Sequence, residues 1–134
     1  MENNLKDKSF ALALRLVKMY QYLKETRKEY VLSKELLEHG TQIGALIVRI
    51  AHEDNKDEIA KTLSNALKEA QATDYWIELI YLSKLLNEEN YNNIKNEIKD
   101  VLEAIDREIK SLNAGFDLDT PTLYKAKPQP KTLK

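Results

Sequence analysis

Glycine weakens the interior of a helix by about 1 kcal/mol relative to alanine. Two of the chain's three glycines, Gly40 and Gly44, nevertheless stand one turn apart in a helical pattern. The positions facing one side of this stretch, 32, 36, 39, 43, 46 and 50, step by four and three, the a/d seam of a packed helix. A glycine pair on such a face implies close backbone approach to a neighbouring helix, where a Cβ would not fit. This constrains the chain to tightly packed helices.

Three more segments carry the same period. Helix 1 is expected from an N-cap at Asp7 to about Arg27, with two apolar stripes. One is Phe10, Ala13, Leu14 and Val17; the other is Leu12, Leu16, Met19 and Leu23. A surface helix needs only one, so helix 1 is expected to be covered on two sides, once by its own bundle. Helix 2 spans about Tyr30 to Ala51. Helix 3 spans about Lys56 to Leu86, capped by Asn55 with Glu58 in capping-box position. Its seam is Ile59, Leu63, Ala66, Ala70, Thr73, Ile77 and Ile80, and the small Ala66 and Ala70 are expected to face Gly40 and Gly44. Its second half, Tyr75 to Leu82, is apolar nearly all round. Asn87 to Asn90 reads as a turn. Helix 4 spans about Tyr91 to Leu112, with seam Tyr91, Ile94, Ile98, Val101, Ile105 and Ile109, and Gly115 as its left-handed stop. Residues 116–134 hold all three prolines and no helical period, and read as a flexible tail.

Four helices with short turns predict an all-α, antiparallel up-down-up-down bundle over residues 1–115. With 134 residues there is room for one core. The surplus apolar faces, Leu12, Leu16, Met19 and Leu23 on helix 1 and Tyr75, Trp76 and Leu79 on helix 3, predict a homo-oligomer interface, because a lone chain would expose more apolar surface than soluble monomers do.

Little in the chain suggests catalysis. There is no cysteine, hence no disulfide or thiolate site. The two histidines, His39 and His52, lack partners at zinc-helix or di-iron spacing. His39 lies on the helix 2 seam and reads as a hydrogen-bonded core or interface histidine; if buried, its imidazole would make assembly sensitive to mild acid. Glu69 and Asp74 flank the helix 3 seam and read as a solvated face or an inter-helix ion pair. No phosphate loop or nucleophile elbow occurs. The chain is therefore expected to be no enzyme, with no metal or cofactor. The N-terminus lacks a signal-peptide core, and the uncharged run His39 to Val48 is too short for a bilayer. A cytoplasmic protein without a membrane role is expected.

Net charge is −1, but its distribution is uneven. Residues 1–28 carry seven Lys/Arg against three Asp/Glu, or +4, and residues 29–112 carry ten against seventeen, or −7. Lys6, Lys8, Arg15, Lys18, Lys24, Arg27 and Lys28 are thus the candidate nucleic-acid contacts. Solvated helix faces are the plainer reading of the same residues.

Two segments resemble a known family. Leu32-Ser33-Lys34-Glu35-Leu36-Leu37 followed by Gly40-Thr41-Gln42-Ile43-Gly44-Ala45 is similar to the helix 2 signature of the bacterial four-helix-bundle proteins encoded in intervening sequences of large-subunit ribosomal RNA genes. Ala66-Leu67-Lys68-Glu69-Ala70 followed by Thr73-Asp74-Tyr75-Trp76-Ile77-Glu78-Leu79 is similar to its helix 3 signature. The resemblance implies a ring-like pentamer of non-enzymatic bundles. A related branch, the accessory variability determinant of diversity-generating retroelements, implies nucleic acid or a reverse transcriptase as partner. The family typically has other polar residues where Glu38, His39, Gln42 and Arg49 stand, so the resemblance carries the packing rather than polar contacts. The residues alone fit equally a self-associating structural protein with a protein partner.

Overall fold

The computed structural model describes the backbone of residues 3–119 and the side chains of residues 5–114. Four helices follow one another: α1 (Asn3–Glu25), α2 (Leu32–Ala51), α3 (Lys56–Leu82) and α4 (Glu88–Asp119). Each helix packs on its neighbours in sequence, and α4 returns to α1, while the diagonal pairs stay apart. This is the up-down bundle that short turns between helices dictate.

The core is built from one heptad-spaced stripe per helix. On α1 that stripe is Leu5, Ser9, Leu12, Leu16, Met19 and Leu23, all buried. This corrects the expectation that Leu12, Leu16, Met19 and Leu23 face another subunit. Their stripe continues through Leu5 and Ser9 for five turns, whereas Phe10, Ala13, Leu14 and Val17 cover only two. The longer stripe buries more area and turns inward. On α3 the seam from Leu63 to Ile80 is buried, with Ile59 half-exposed, and on α4 so are Ile94, Ile98, Val101 and Ile105.

The glycines pack chiefly against α1 rather than against the alanines of α3. A Cβ at Gly40 would overlap Leu16 Cδ1, and Thr73 Cγ2 lies 3.5 Å from the same point. A Cβ at Gly44 would meet only Ser9 Cβ, at 3.9 Å. Ala66 and Ala70 are fully buried in the same core.

Helix ends depart from expectation where side chains act as caps. The α2 N-terminus is held by Glu29, whose carboxylate accepts the backbone N–H of Val31, Leu32 and Ser33 at 3.0, 2.8 and 2.7 Å. Partial burial alone would raise the Glu29 carboxyl, but these three amides and the Ser33 side chain outweigh it and hold the carboxyl below its ordinary value. Asn55 caps α3 by accepting Glu58 N–H at 3.0 Å, as expected, while its own N–H goes to Glu53 rather than Glu58. Asn87 accepts Asn90 N–H at 2.8 Å, so the expected turn at 87–90 is the first turn of α4. The α3 helix stops at Leu82, four residues early, because Lys84 adopts a left-handed conformation and Leu85 N–H reaches back to Ile80 O at 3.2 Å. Asp7 lies within α1 and caps nothing at its start. Gly115 does not end α4, which stays helical to Asp119; one glycine costs too little to break a helix of this length. The remainder of the expected tail, residues 120–134, lies outside the described residues.

Candidate assembly surface and basic surface

With Leu12 and its stripe in the core, the outward face of α1 is apolar. Phe10 is 66% exposed, Leu14 53%, and Val17 is exposed as well. Ser9 lies against Gly44. Val48, one turn beyond Gly44 on α2, is also exposed. On the far side of the bundle, Tyr75 is 59% exposed, and Leu82 is exposed near the α3 C-terminus. Trp76 and Leu79 are half-buried. Tyr75 and Trp76 meet edge to face at 5.1 Å, and Trp76 packs onto the core. Of the seven residues expected at an interface, Tyr75, Trp76 and Leu79 reach the surface. Phe10, Leu14 and Val17 take the place of the buried four. Their stripe was visible in the sequence; which stripe turned inward was not.

The basic residues do not form one patch. The Arg15 guanidinium pairs with Glu97 of α4 at 2.7 Å. Arg27 donates to the carbonyls of Leu85 and Lys84 at 3.1 and 3.2 Å, tying the α1–α2 loop to the α3–α4 loop. Lys24 Nζ sits 5.1 Å above the Tyr20 ring. Lys8 is half-buried, and Lys6, Lys18 and Lys28 are exposed.

The polar residues singled out for chemistry pair with one another across helices. His39 Nδ1 lies 2.6 Å from Glu69 Oε1, with Glu35 3.6 Å from its other nitrogen. The ring is about one-third exposed, so His39 is the hydrogen-bonded histidine expected, at an α2–α3 contact, and not a fully buried imidazole. Asp74 accepts from Lys95 at 2.6 Å, and Glu78 lies 3.0 Å from the same ammonium. Tyr91 O–H donates to Glu78 at 2.6 Å, and its ring stacks on Tyr81 at 3.8 Å. The bonds from Tyr91 and Lys95 hold the Glu78 carboxyl below its ordinary value. The Glu78 bond raises the Tyr91 phenol. For Lys95, burial works downward but the bonds from Asp74 and Glu78 outweigh it, and the ammonium titrates higher than usual. A lysine so held keeps its proton and makes a poor nucleophile. Among the described residues no three His, Asp or Glu side chains gather as a metal would need, and no helix is long and apolar enough to cross a membrane.

No curated protein matches this sequence. A solved structure similar to the fold, at 1.70 Å, is of a protein of unknown function from the S23 ribosomal protein family of Bacteroides thetaiotaomicron. It is 36% identical, aligns over 81% of this chain and 96% of that one, and has a TM-score of 0.79. Residues 1–107 match the 23S rRNA-intervening sequence protein family. That match covers every helix except the last turns of α4, and the chain therefore belongs to the 23S rRNA-intervening sequence protein family.

Proposed function

We propose that the protein is a non-enzymatic, homo-oligomeric bundle that serves as a scaffold or accessory factor in the cytoplasm. The observation that carries this reading is the outward apolar strip of Phe10, Leu14 and Val17, which a lone chain leaves in water. Tyr75 and Leu82 on α3 add a second exposed apolar site, and two separate sites suit a ring better than a two-fold dimer. The pentamer implied by the family resemblance is such a ring. A catalytic role is disfavoured because the candidate acids and bases pair with each other: His39 with Glu69, and Lys95 with Asp74 and Glu78. Replacing Phe10 and Leu14 together by glutamate should dissociate the assembly into folded single chains. An unchanged mass for this double variant would remove α1 from the interface.

Nucleic acid, or a reverse transcriptase already engaged with it, is the proposed partner. Lys6, Lys18 and Lys28 support it, since they stay exposed while Arg15 and Arg27 are bound internally. Binding through a few lysines should weaken steeply with salt. A purely protein partner is the second reading. It rests on the same apolar strips, and a pulled-down partner that survives nuclease treatment would favour it.

A further inference from the structure

We infer that the end of the bundle carrying the α1–α2 and α3–α4 loops is a binding surface for single-stranded nucleic acid, centred on Lys28 and Lys84. The inference rests on the nucleic-acid reading above and gives it a location that includes a residue outside the basic N-terminal segment. Lys28 and Lys84 are the two non-glycine residues with positive φ among the described residues, at 57° and 65°. Each follows a helix C-terminus, where glycine or asparagine takes the left-handed conformation with less strain. Both lysines are exposed. A non-glycine residue with this backbone conformation at both turns is a reason to look for a ligand. The two loops are also locked together: Arg27 of one donates to the carbonyls of Lys84 and Leu85 in the other. Arg27 therefore acts as a positioning residue that fixes the two lysines with respect to each other.

Aromatic rings accompany these charges. Tyr30, two residues after Lys28, and Tyr22, one turn before the end of α1, are both exposed, as is Lys24. Lysines interleaved with open ring faces match a backbone of phosphates with unstacked bases, which a duplex keeps covered. Glu25, Glu88 and Glu89 are exposed on the same loops and helix ends and offset part of this positive charge, so the contact falls to the individual lysines and rings. The rival role for Lys28 and Lys84 is to complement the negative ends of the α1 and α3 dipoles.

The test is fluorescence anisotropy with a labelled polyuridylate of about 20 nucleotides at about 0.1 M salt, on the full chain. The double variant Lys28→Gly with Lys84→Gly removes two charges and relaxes both turns. It should lose about 10–30-fold in affinity, and its log–log salt slope should flatten by about 1.4. Lys28→Gln with Lys84→Gln, which removes the charges and keeps the turns strained, should lose as much affinity as the glycine pair, which separates the lost charges from the relaxed turns. Lys28→Arg with Lys84→Arg should keep binding, and Tyr30→Ala should lose at least about fivefold. If the wild type binds and the glycine double variant binds equally well, this surface is wrong. The general reading would then stand on Lys6 and Lys18, with Lys6→Ala plus Lys18→Ala losing affinity instead. A wild type that binds no polyuridylate overturns both.

Discussion

A Cβ at Gly40 would occupy the space of a Leu16 methyl group in a fully buried part of the core. Leu16 is fully buried, so moving its methyl displaces core neighbours, and overpacking should outweigh the helix propensity that alanine brings. Gly40→Ala is expected to destabilise by about 1–2 kcal/mol. Gly44 has ordinary van der Waals room beside Ser9, so Gly44→Ala should stabilise by about 0.5–1 kcal/mol. Urea unfolding of the two variants should give opposite signs; equal signs would mean the α1–α2 contact is wrongly described. Sequence spacing put both glycines on one packed face and made them look equivalent. It could not tell which helix lay opposite, because a small-residue face fits α1 or α3 equally well. Only the partner's side chain, Leu16 against one and Ser9 against the other, separates them.

Helix ends are decided by single side chains acting on short stretches of backbone. Glu29 satisfies three amides at the start of α2 with one carboxylate. Glu29→Gln should cost about 1–2 kcal/mol of unfolding free energy by urea titration, since the charge-assisted part of those bonds is lost. Glu29 was not legible as a cap because glutamate is an uncommon one and it acts from three residues ahead of the helix. Asn55 was legible, because asparagine with glutamate three residues on is a local pattern. The seams of α2, α3 and α4 were legible for the same reason: period is local. The two α1 stripes were equally visible, but choosing between them needed the length of each against the whole bundle.

Between α3 and α4, protonation sets the stability of a surface network of Asp74, Glu78, Tyr91 and Lys95. Glu29 and Glu78 titrate lower in the folded chain, so their contribution is present at neutral pH and lost as acid protonates them below about pH 5. Tyr91 and Lys95 titrate higher when folded, so theirs persists through neutral pH and fades above about pH 10. Urea midpoints measured against pH should therefore show a plateau between these limits, with Glu78→Gln shrinking the acid-side fall. These groups are partly exposed, so solvent screening keeps the contribution of each pair small. A midpoint that climbs steadily through the alkaline limit would contradict the assignment of Tyr91 and Lys95.

At the scale of the whole molecule, the fold leaves apolar side chains on two well-separated helices. Phe10, Leu14 and Val17 lie on α1, and Tyr75 and Leu82 on α3, and α1 and α3 are diagonal partners whose backbones do not approach each other closely. Surplus apolar surface was legible as a quantity from the two stripes of α1 and the apolar second half of α3. Its position was half legible, because burial of the Leu12 stripe turned the Phe10 stripe outward. What the surface binds is not encoded in periodicity, and charge gives only the N-terminal segment, residues 1–28, as basic.

Light scattering on a sizing column, run over a range of low micromolar concentrations, measures the claim that copies of this chain cover one another's apolar strips. The account predicts a single species at an integral multiple of the 15.5 kDa chain, reduced to one chain mass by Phe10→Glu with Leu14→Glu. A wild-type mass of one chain at every concentration would contradict it.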